Sequence, residues 1–349
     1  QRVAYLDSRA KEKLGRTLLA RAHPLLGFLS CDAFSITEQT DALAWKSTLE
    51  ADAVLLAGVL RANTVLQALN VGVGSGGPSS GAVELRDDSK ELIGNALLAN
   101  REGRVGLCDA FGLKAGVSSA TYELNNKGKE GKDAGGGGGA AGKAESKEGL
   151  VVRSLKTFVL LCGILRGNRS LVSLTLRSLK LNHCMVLARA LRGNVSLQKL
   201  TLEFDAEGKR AESDATLNVQ QLTGRQPIRK LDLVEAQGMA ASELNNVTCS
   251  LIGLLLVENE SVEVLRINPG PGSEGGKIID ALHCARNSSL RTLDLTGVGL
   301  GDRGGPAIFA SLKAGQCPNL TCLRLGSNDL NDRALGGLVE VLHDDACAI

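Results

Sequence analysis

One element recurs seven times along this chain: Leu-x-x-Leu-x-Leu, with other aliphatic residues in some of the leucine slots. It starts at Leu66, Leu171, Leu197, Ile228, Val262, Leu290 and Leu320, and from Leu171 onward the starts lie 26, 31, 34, 28 and 30 residues apart. Apolar residues at alternate positions specify a short strand with one buried face. Between the strands run apolar stretches of helical character, in the frames LAGVLRANTVLQALNV (Leu56 to Val71), LCGILRGNRSLVSLTL (Leu161 to Leu176) and LARALRGNVSLQKLTL (Leu187 to Leu202). One strand and one helix cannot bury their apolar sides alone, so successive units must stack.

That period, with helices between strands, resembles the leucine-rich repeat. The last two units, LRTLDLTGVGLGDRGGPAIFASL from Leu290 and LTCLRLGSNDLNDRALGGLVEVL from Leu320, carry it most cleanly. Asn328 holds the position where the family uses an Asn between strand and loop; Val298 and Leu179 stand there in two other units. The helix entries Leu300-Gly301-Asp302 and Leu330-Asn331-Asp332, and the turn Cys317-Pro318-Asn319-Leu320, are similar to the ribonuclease-inhibitor-like class, which includes the Ran GTPase-activating protein and NOD-like receptor repeat domains. The resemblance covers residues 150–349. It implies an α/β leucine-rich-repeat solenoid (a horseshoe) with parallel strands on the concave face and helices on the convex face, in roughly eight or nine units when the degenerate N-terminal ones are counted.

The N-terminal part, residues 1–124, reads as degenerate repeats with a duplication of its own. LGRTLLARAHPLLGFLSCDAF (Leu14 to Phe34) matches IGNALLANREGRVGLCDAF (Ile93 to Phe111), the shared Cys-Asp-Ala-Phe being offset by 77. The frames that follow are offset by 105, so 28 residues are inserted in the second copy. The low-complexity stretch at 125–149 falls in that interval, ahead of the regular repeats of 150–349. This arrangement resembles stand-alone repeat proteins of unicellular algae and other protists.

Two glycine-rich stretches imitate nucleotide sites. Gly137-x-x-x-x-Gly142-Lys143 lacks the Ser/Thr of a phosphate loop, having Ala144 instead, and is flanked by solvated charge rather than a strand and a helix. It reads as a flexible insert. Gly72-x-Gly74-x-x-Gly77 is followed by Pro78-Ser79-Ser80-Gly81 where a dinucleotide fold needs a helix, and so reads as a strand-to-helix loop. Six N-x-[ST] sequons occur, at Asn168, Asn194, Asn246, Asn259, Asn287 and Asn319. All but Asn246 read as one repeat position just before a strand, where Asn and Ser satisfy turn backbone groups.

Nothing points to catalysis or a cofactor. His23, His183, His283 and His343 are scattered, with no nucleophile and orienting acid. His183-Cys184 reads as helix packing, and Asp87-Asp88 as a helix start. The nine cysteines show no Cys-x-x-Cys pair and Cys317-x4-Cys322 has no second ligand pair near it, which argues against zinc and for reduced thiols in a cytoplasmic protein. A formal charge of +2 with 3% aromatics gives neither the basic field nor the stacking platforms of a nucleic-acid binder. The longest apolar run, Phe158 to Leu165, is far short of the roughly 18 residues that span a bilayer.

The expected function is therefore non-enzymatic protein–protein interaction, as a scaffold or a subunit of a larger assembly. The resemblance implies two alternatives: a regulator (activator) of a small GTPase, or the sensor repeats of a NOD-like receptor. In Leu-x-x-Leu-x-Leu-x the third, fifth and seventh residues face away from the core. The charged ones are Arg177, Lys199, Glu203, Lys230, Asp232, Arg266, Asp294 and Arg324, the candidate protein-binding set on the concave face. Val234 and Asn268 belong to the same series. Binding by the convex helices, by an edge or by the glycine insert is the alternative.

Overall fold

The computed structural model describes residues 5–21, 26–72, 83–124, 150–204, 215–233, 246–267, 288–301, 305–306, 309–310 and 318–343. The 125–149 insert, Gly74, Gly77, Val234, Asn268, His23, His283, Asn287, Asp302 and Cys317 lie outside the described residues. The N-terminal elements are α1 (Ser8–Ala20), β1 (Leu29–Ser30), β2 (Ser35–Ile36), β3 (Ala42–Ala44), α2 (Glu50–Leu60), β4 (Ala68–Asn70), α3 (Asp87–Ala99) and β5 (Ser119–Leu124). Then come β6 (Leu150–Val152), α4 (Leu155–Gly167), β7 (Ser173–Arg177), α5 (Leu181–Gly193), β8 (Lys199–Glu203), β9 (Ala215–Asn218), α6 (Val219–Leu222) and β10 (Lys230–Asp232). The chain continues through α7 (Asn246–Leu256), β11 (Val264–Arg266), β12 (Thr292–Asp294), β13 (Cys322–Arg324) and α8 (Asp332–Leu342).

From Leu171 on, the Leu-x-x-Leu-x-Leu elements form parallel strands in two main sheets, ordered β6-β5-β7-β8-β9 and β10-β11-β12-β13, while the element at Leu66 gives β4, paired with β3. Their leucines lie in register: Leu174 beside Leu200, and Leu231, Leu265, Leu293 and Leu323 in one row. Helices α2 and α4 are apolar all round and buried over Asp52 to Leu60 and Thr157 to Leu165, as a helix inside a layered core must be. The apolar run Phe158 to Leu165 is thus a core helix.

An uninterrupted run of parallel strands was the expectation, and it breaks between the Leu197 and Ile228 units. There the helix is only four residues long, and β9 runs antiparallel along β8. The residues explain it. Ala215, Leu217 and Val219 are buried while Thr216 and Asn218 are not, a period of two that makes a strand where neighbouring units have a helix. Asn218 then ends the strand by accepting from the Gln221 amide at 3.1 Å, starting α6. With the β8 edge occupied, β10 opens a second sheet.

A buried asparagine three residues before four of the strand elements, at Asn63, Asn168, Asn194 and Asn259, joins the units. Asn194 donates through Nδ2 to the carbonyls of Leu165 and Asn168 in the preceding unit, at 2.6 and 3.0 Å. Its Oδ1 accepts from the amides of Ser196 and Leu197 at 2.9 and 2.7 Å. Asn63, Asn168 and Asn259 repeat this pattern towards Gly27, Gly106, and Gln221 with Leu222. In the irregular unit Arg225 holds the position, and its guanidinium reaches the Leu191 and Arg192 carbonyls instead. Asn319 departs from the shared position. It stands one residue before Leu320, where other units have Ser170, Ser196, Ser261 and Ser289, and it is an exposed donor to the Ser288 carbonyl. Asn328 donates to the Leu295 and Leu325 carbonyls, while Val298 and Leu179 fill the equivalent place as buried apolar groups.

Equivalent residues of the N-terminal and following units make equivalent contacts. Gly15 lies against the Val54 backbone where α1 packs on α2, and Gly94 against the Val159 backbone where α3 packs on α4; a Cβ at either would fall within 2.7 Å of backbone atoms. Trp45 packs near Phe34 with ring centroids 6.4 Å apart, and Tyr122 donates its hydroxyl to the Phe111 carbonyl at 2.7 Å. Strand β3 pairs in parallel with β4 as β5 does with β7.

The asparagine network sets a measurable contrast. Asn194→Ala leaves buried carbonyls and amides unsatisfied and should cost roughly 2–4 kcal/mol in urea denaturation, whereas the exposed Asn319→Ala should cost under about 1. Equal losses would show that the buried amides do not hold the units together.

Candidate protein-binding surface

Alternation along each strand turns the third, fifth and seventh residues of each element out of the core. The candidate charges divide between the two sheets: Arg177, Lys199 and Glu203 on β7 and β8, and Lys230, Asp232, Arg266, Asp294 and Arg324 on β10 to β13. Within each sheet the register brings opposite charges side by side. Across the second sheet Asp232, Arg266, Asp294 and Arg324 occupy one row of alternating sign. Across the first, Glu123, Arg177 and Glu203 do the same.

Neighbouring strands lie about 4.8 Å apart, so such rows bring charged groups within reach of one another. Arg177 Nε donates to Glu203 Oε2 at 2.6 Å. Arg266 reaches Asp232 Oδ2 at 3.4 Å, Lys230 approaches the same oxygen at 3.9 Å, and Arg324 reaches Asp294 Oδ2 at 3.4 Å. Both aspartates are buried beneath these cations, rather than standing free on the sheet face. Burial works to raise the pKa of Asp294, but hydrogen bonds from Thr296 and Arg324 outweigh it and hold the carboxyl below its ordinary value. Lys199 is exposed.

A second row, Thr121, Thr175, Thr201 and Thr216, crosses four strands beside the charges and is half-buried throughout. Glu123 and Thr121 are absent from the set expected from sequence, because β5 does not have leucines in the repeat slots. The signal is nevertheless present: Val117, Ala120 and Tyr122 take those slots, with Tyr122 buried in line with Leu176.

The remaining titratable groups serve the core. His183 is buried, with its ring centroid 4.8 Å from that of Phe158, and Nδ1 accepts from the Lys180 amide at 3.1 Å. Burial, helped by the Lys180 charge, pushes its pKa down to about 4. Burial pushes the Cys184 and Cys249 thiols up to about 12, and those of Cys108 and Cys162 upward as well, so none of these is a ready nucleophile. Lys11 is only 3% exposed and bridges Asp32 and Asp52 at 2.7 and 2.8 Å. Burial opposes its charge, but the two carboxylates outweigh that and raise its pKa. Asp87 and Asp88 sit in the first turn of α3, paired with Lys90 and Lys156. Among the described residues no group of three or more His, Cys, Asp or Glu is placed to hold a metal ion, and no helix is long and apolar enough to cross a membrane.

The family model for the Leucine Rich repeat matches residues 286–309 and 316–339. The chain carries leucine-rich repeats. No curated protein matches it. Leucine-rich repeats are commonly protein-interaction modules, because a stacked sheet offers a broad continuous surface.

Two outcomes test the electrostatics. Arg177→Glu lines up three carboxylates and should cost about 1–2 kcal/mol in chemical denaturation. Adding Glu203→Arg should recover part of this, but not all, since Glu123 still faces the new carboxylate. Independently, the unfolded chain takes up the His183 proton near pH 6.5, and the folded chain only near pH 4. Stability from this site is therefore full above about 6.5 and falls as pH drops through that window. His183→Gln should flatten this acid limb in melting curves between pH 7 and 4.5; an unchanged slope would assign it to other groups.

Proposed function

We propose that the protein is a non-enzymatic protein-interaction scaffold, acting as an assembly subunit of a larger complex. In this reading it is a solenoid of the ribonuclease-inhibitor-like class, with the two sheets lining the concave side of a horseshoe and the helices on its convex side. The observation that carries the reading is the outward sheet face. It presents rows of threonines and paired charges in register over as many as four strands, in a chain with leucine-rich repeats. Such a surface has little net field to attract a phosphate backbone, and its mixed polar character suits a protein partner. The buried thiols support a reducing, cytoplasmic setting, since they need neither pairing nor metal.

The row structure dictates the variant that tests this. Reversing Arg266 or Arg324 would leave Asp232 or Asp294 beside a like charge and damage the fold. Lys199 and Lys230 are exposed, and Thr175 and Thr201 are half-buried on the same face. A tagged chain captured from source cells should yield one reproducible set of partners by mass spectrometry. Lys199→Glu, Lys230→Ala and Thr201→Arg together, none of which sets a like charge beside a buried aspartate, should remove that set while lowering stability by less than about 2 kcal/mol. Partners that persist on the folded variant would move binding to the helices or an edge.

A further inference from the structure

Arginines gather along the side of the repeat where helices end and the chain turns into the next strand. Two of them have a role within the fold. Arg166, in the last turn of α4, donates to the carbonyls of Asn100 and Arg189 at 3.2 and 3.1 Å, in the units before and after its own. Gly193 leaves room for it, since a Cβ there would fall within 2.7 Å of the Arg166 side chain. Arg225 reaches the Leu191 and Arg192 carbonyls in the same manner. A cation over helix-end carbonyls is favourable, which accounts for both.

That account does not extend to Arg101, Arg169 and Arg189. All three are exposed, and among the described residues no carboxylate or carbonyl takes their guanidinium groups. The backbone nevertheless holds them beside the other two. Asn100, whose carbonyl accepts from Arg166, directly precedes Arg101, and Arg189 supplies the second carbonyl. Gly167 lies against Val105, where a Cβ would come within 3.0 Å of backbone atoms, so the turn after α3 rests on the turn after α4 that carries Arg169. Burial pushes the Arg166 pKa down, and the charges of Arg189, Arg101, Arg225 and Arg169 push it further. Five like charges brought this close repel one another, a cost that an anion laid across them would remove.

The patch also has a boundary. Glu102 stands exposed beside Arg101, and one unit beyond Arg225 the same side turns acidic with Glu258, Glu260 and Glu263. There the charges are matched: Glu258 takes Arg192 and Glu263 takes Arg229, each at 3.1 Å.

Guanidinium forks suit carboxylates and phosphates alike, so the neighbouring groups decide the occupant. The turns at 100–106, 166–172, 189–198 and 223–229 hold no aromatic residue on which a base could stack. Instead Val195, at the position Arg169 has one unit earlier, is 52% exposed, and Val172 is 38% exposed. An apolar side chain can cover these valines and a phosphodiester backbone cannot. We propose that this arginine edge is a docking surface for an acidic segment of a partner protein, with carboxylates on Arg101, Arg169 and Arg189 and an apolar side chain on Val195. A second copy of this chain is a poor occupant, because Glu258 and Glu263 on its acidic side are already paired.

This goes beyond the sheet-face reading by giving the protein a second surface with its own chemistry. The probe is a fluorescent peptide, Glu-Asp-Leu-Glu-Asp-Val-Glu-Asp, titrated with the full chain. It should saturate, and Arg101→Glu, Arg169→Glu and Arg189→Glu together should weaken it about tenfold or more. Lys13→Glu, Lys46→Glu and Arg86→Glu, which alter the net charge equally at exposed residues of other segments, should leave it within about twofold. On the unaltered protein, the peptide with Ser for Leu and Val should bind about threefold more weakly, a comparison independent of whether any variant folds. No saturation at about 1 mM peptide, or an equal loss in the two triple variants, would overturn the proposal. So would tighter binding of an equally charged oligonucleotide, or of phosphatidylserine vesicles, than of the peptide. Self-association of the full chain that the arginine variant abolishes would give the edge to a second copy and overturn it as well. If the edge fails these tests while cellular partners are still captured, the sheet-face scaffold reading stands without it.

Discussion

The buried asparagine amide is the interaction on which the layered structure depends. Every helix ends in carbonyl oxygens with no partner inside the helix, and stacking covers them with the next unit so that water cannot serve. One side chain resolves both halves of this. The amide nitrogen of Asn194 reaches back to the Leu165 and Asn168 carbonyls, and its oxygen holds the Ser196 and Leu197 amides that lead into β8. Strand entry and helix exit are thereby tied across units. The leucine layer supplies the driving force for stacking, but the amide fixes how far each unit is displaced from the last. It also gives the sequons of Asn168, Asn194 and Asn259 a structural role with no sugar involved.

The irregular stretch around β9 shows that this connection is stricter than the sheet. There the helix shrinks to four residues and the parallel order is lost, yet the carbonyls at the helix ends are still met. Arg225 takes those of Leu191 and Arg192, and Asn259 takes those of Gln221 and Leu222. A break in strand pairing leaves edge groups that an antiparallel strand can satisfy, as β9 does for β8. A buried helix end has no such substitute, which explains why a long basic side chain appears where the amide is missing.

Much of this was legible because leucine periodicity and asparagine spacing are local signals. The strands β7, β8 and β10 to β13 begin at the third position of the elements read from sequence, and His183-Cys184 and Asp87-Asp88 stand where helix packing and a helix start place them. Strand β5 was missed, because Tyr122, with the half-buried Ala120 before it, meets the demand for burial without leucine. The antiparallel β9 was missed because its five-residue alternation lies inside an interval whose length, 31 residues, matches an ordinary unit. Asn319 was misassigned because a sequon marks residue types and not distance to the strand. The pairing of the exposed charges was not legible at all. Each strand reveals which residues point outward, but only the register between strands tells which charges meet.

That register changes what a mixed-sign stripe means. Counted along the chain, the outward charges suggest a nearly neutral surface offered to a partner. Placed in the sheet, most are already engaged: Asp232 and Asp294 are buried by the arginines of the next strand, and Arg177 is held by Glu203. Such pairs between partly exposed groups add little stability each. Their effect is on register, since a strand displaced by one residue would turn its charges into the leucine layer. Alternation therefore serves a repeat whose strands are only three to five residues long and hold few backbone bonds of their own. Among the described outward residues, those outside this internal charge pairing are the threonine row and the exposed Lys199.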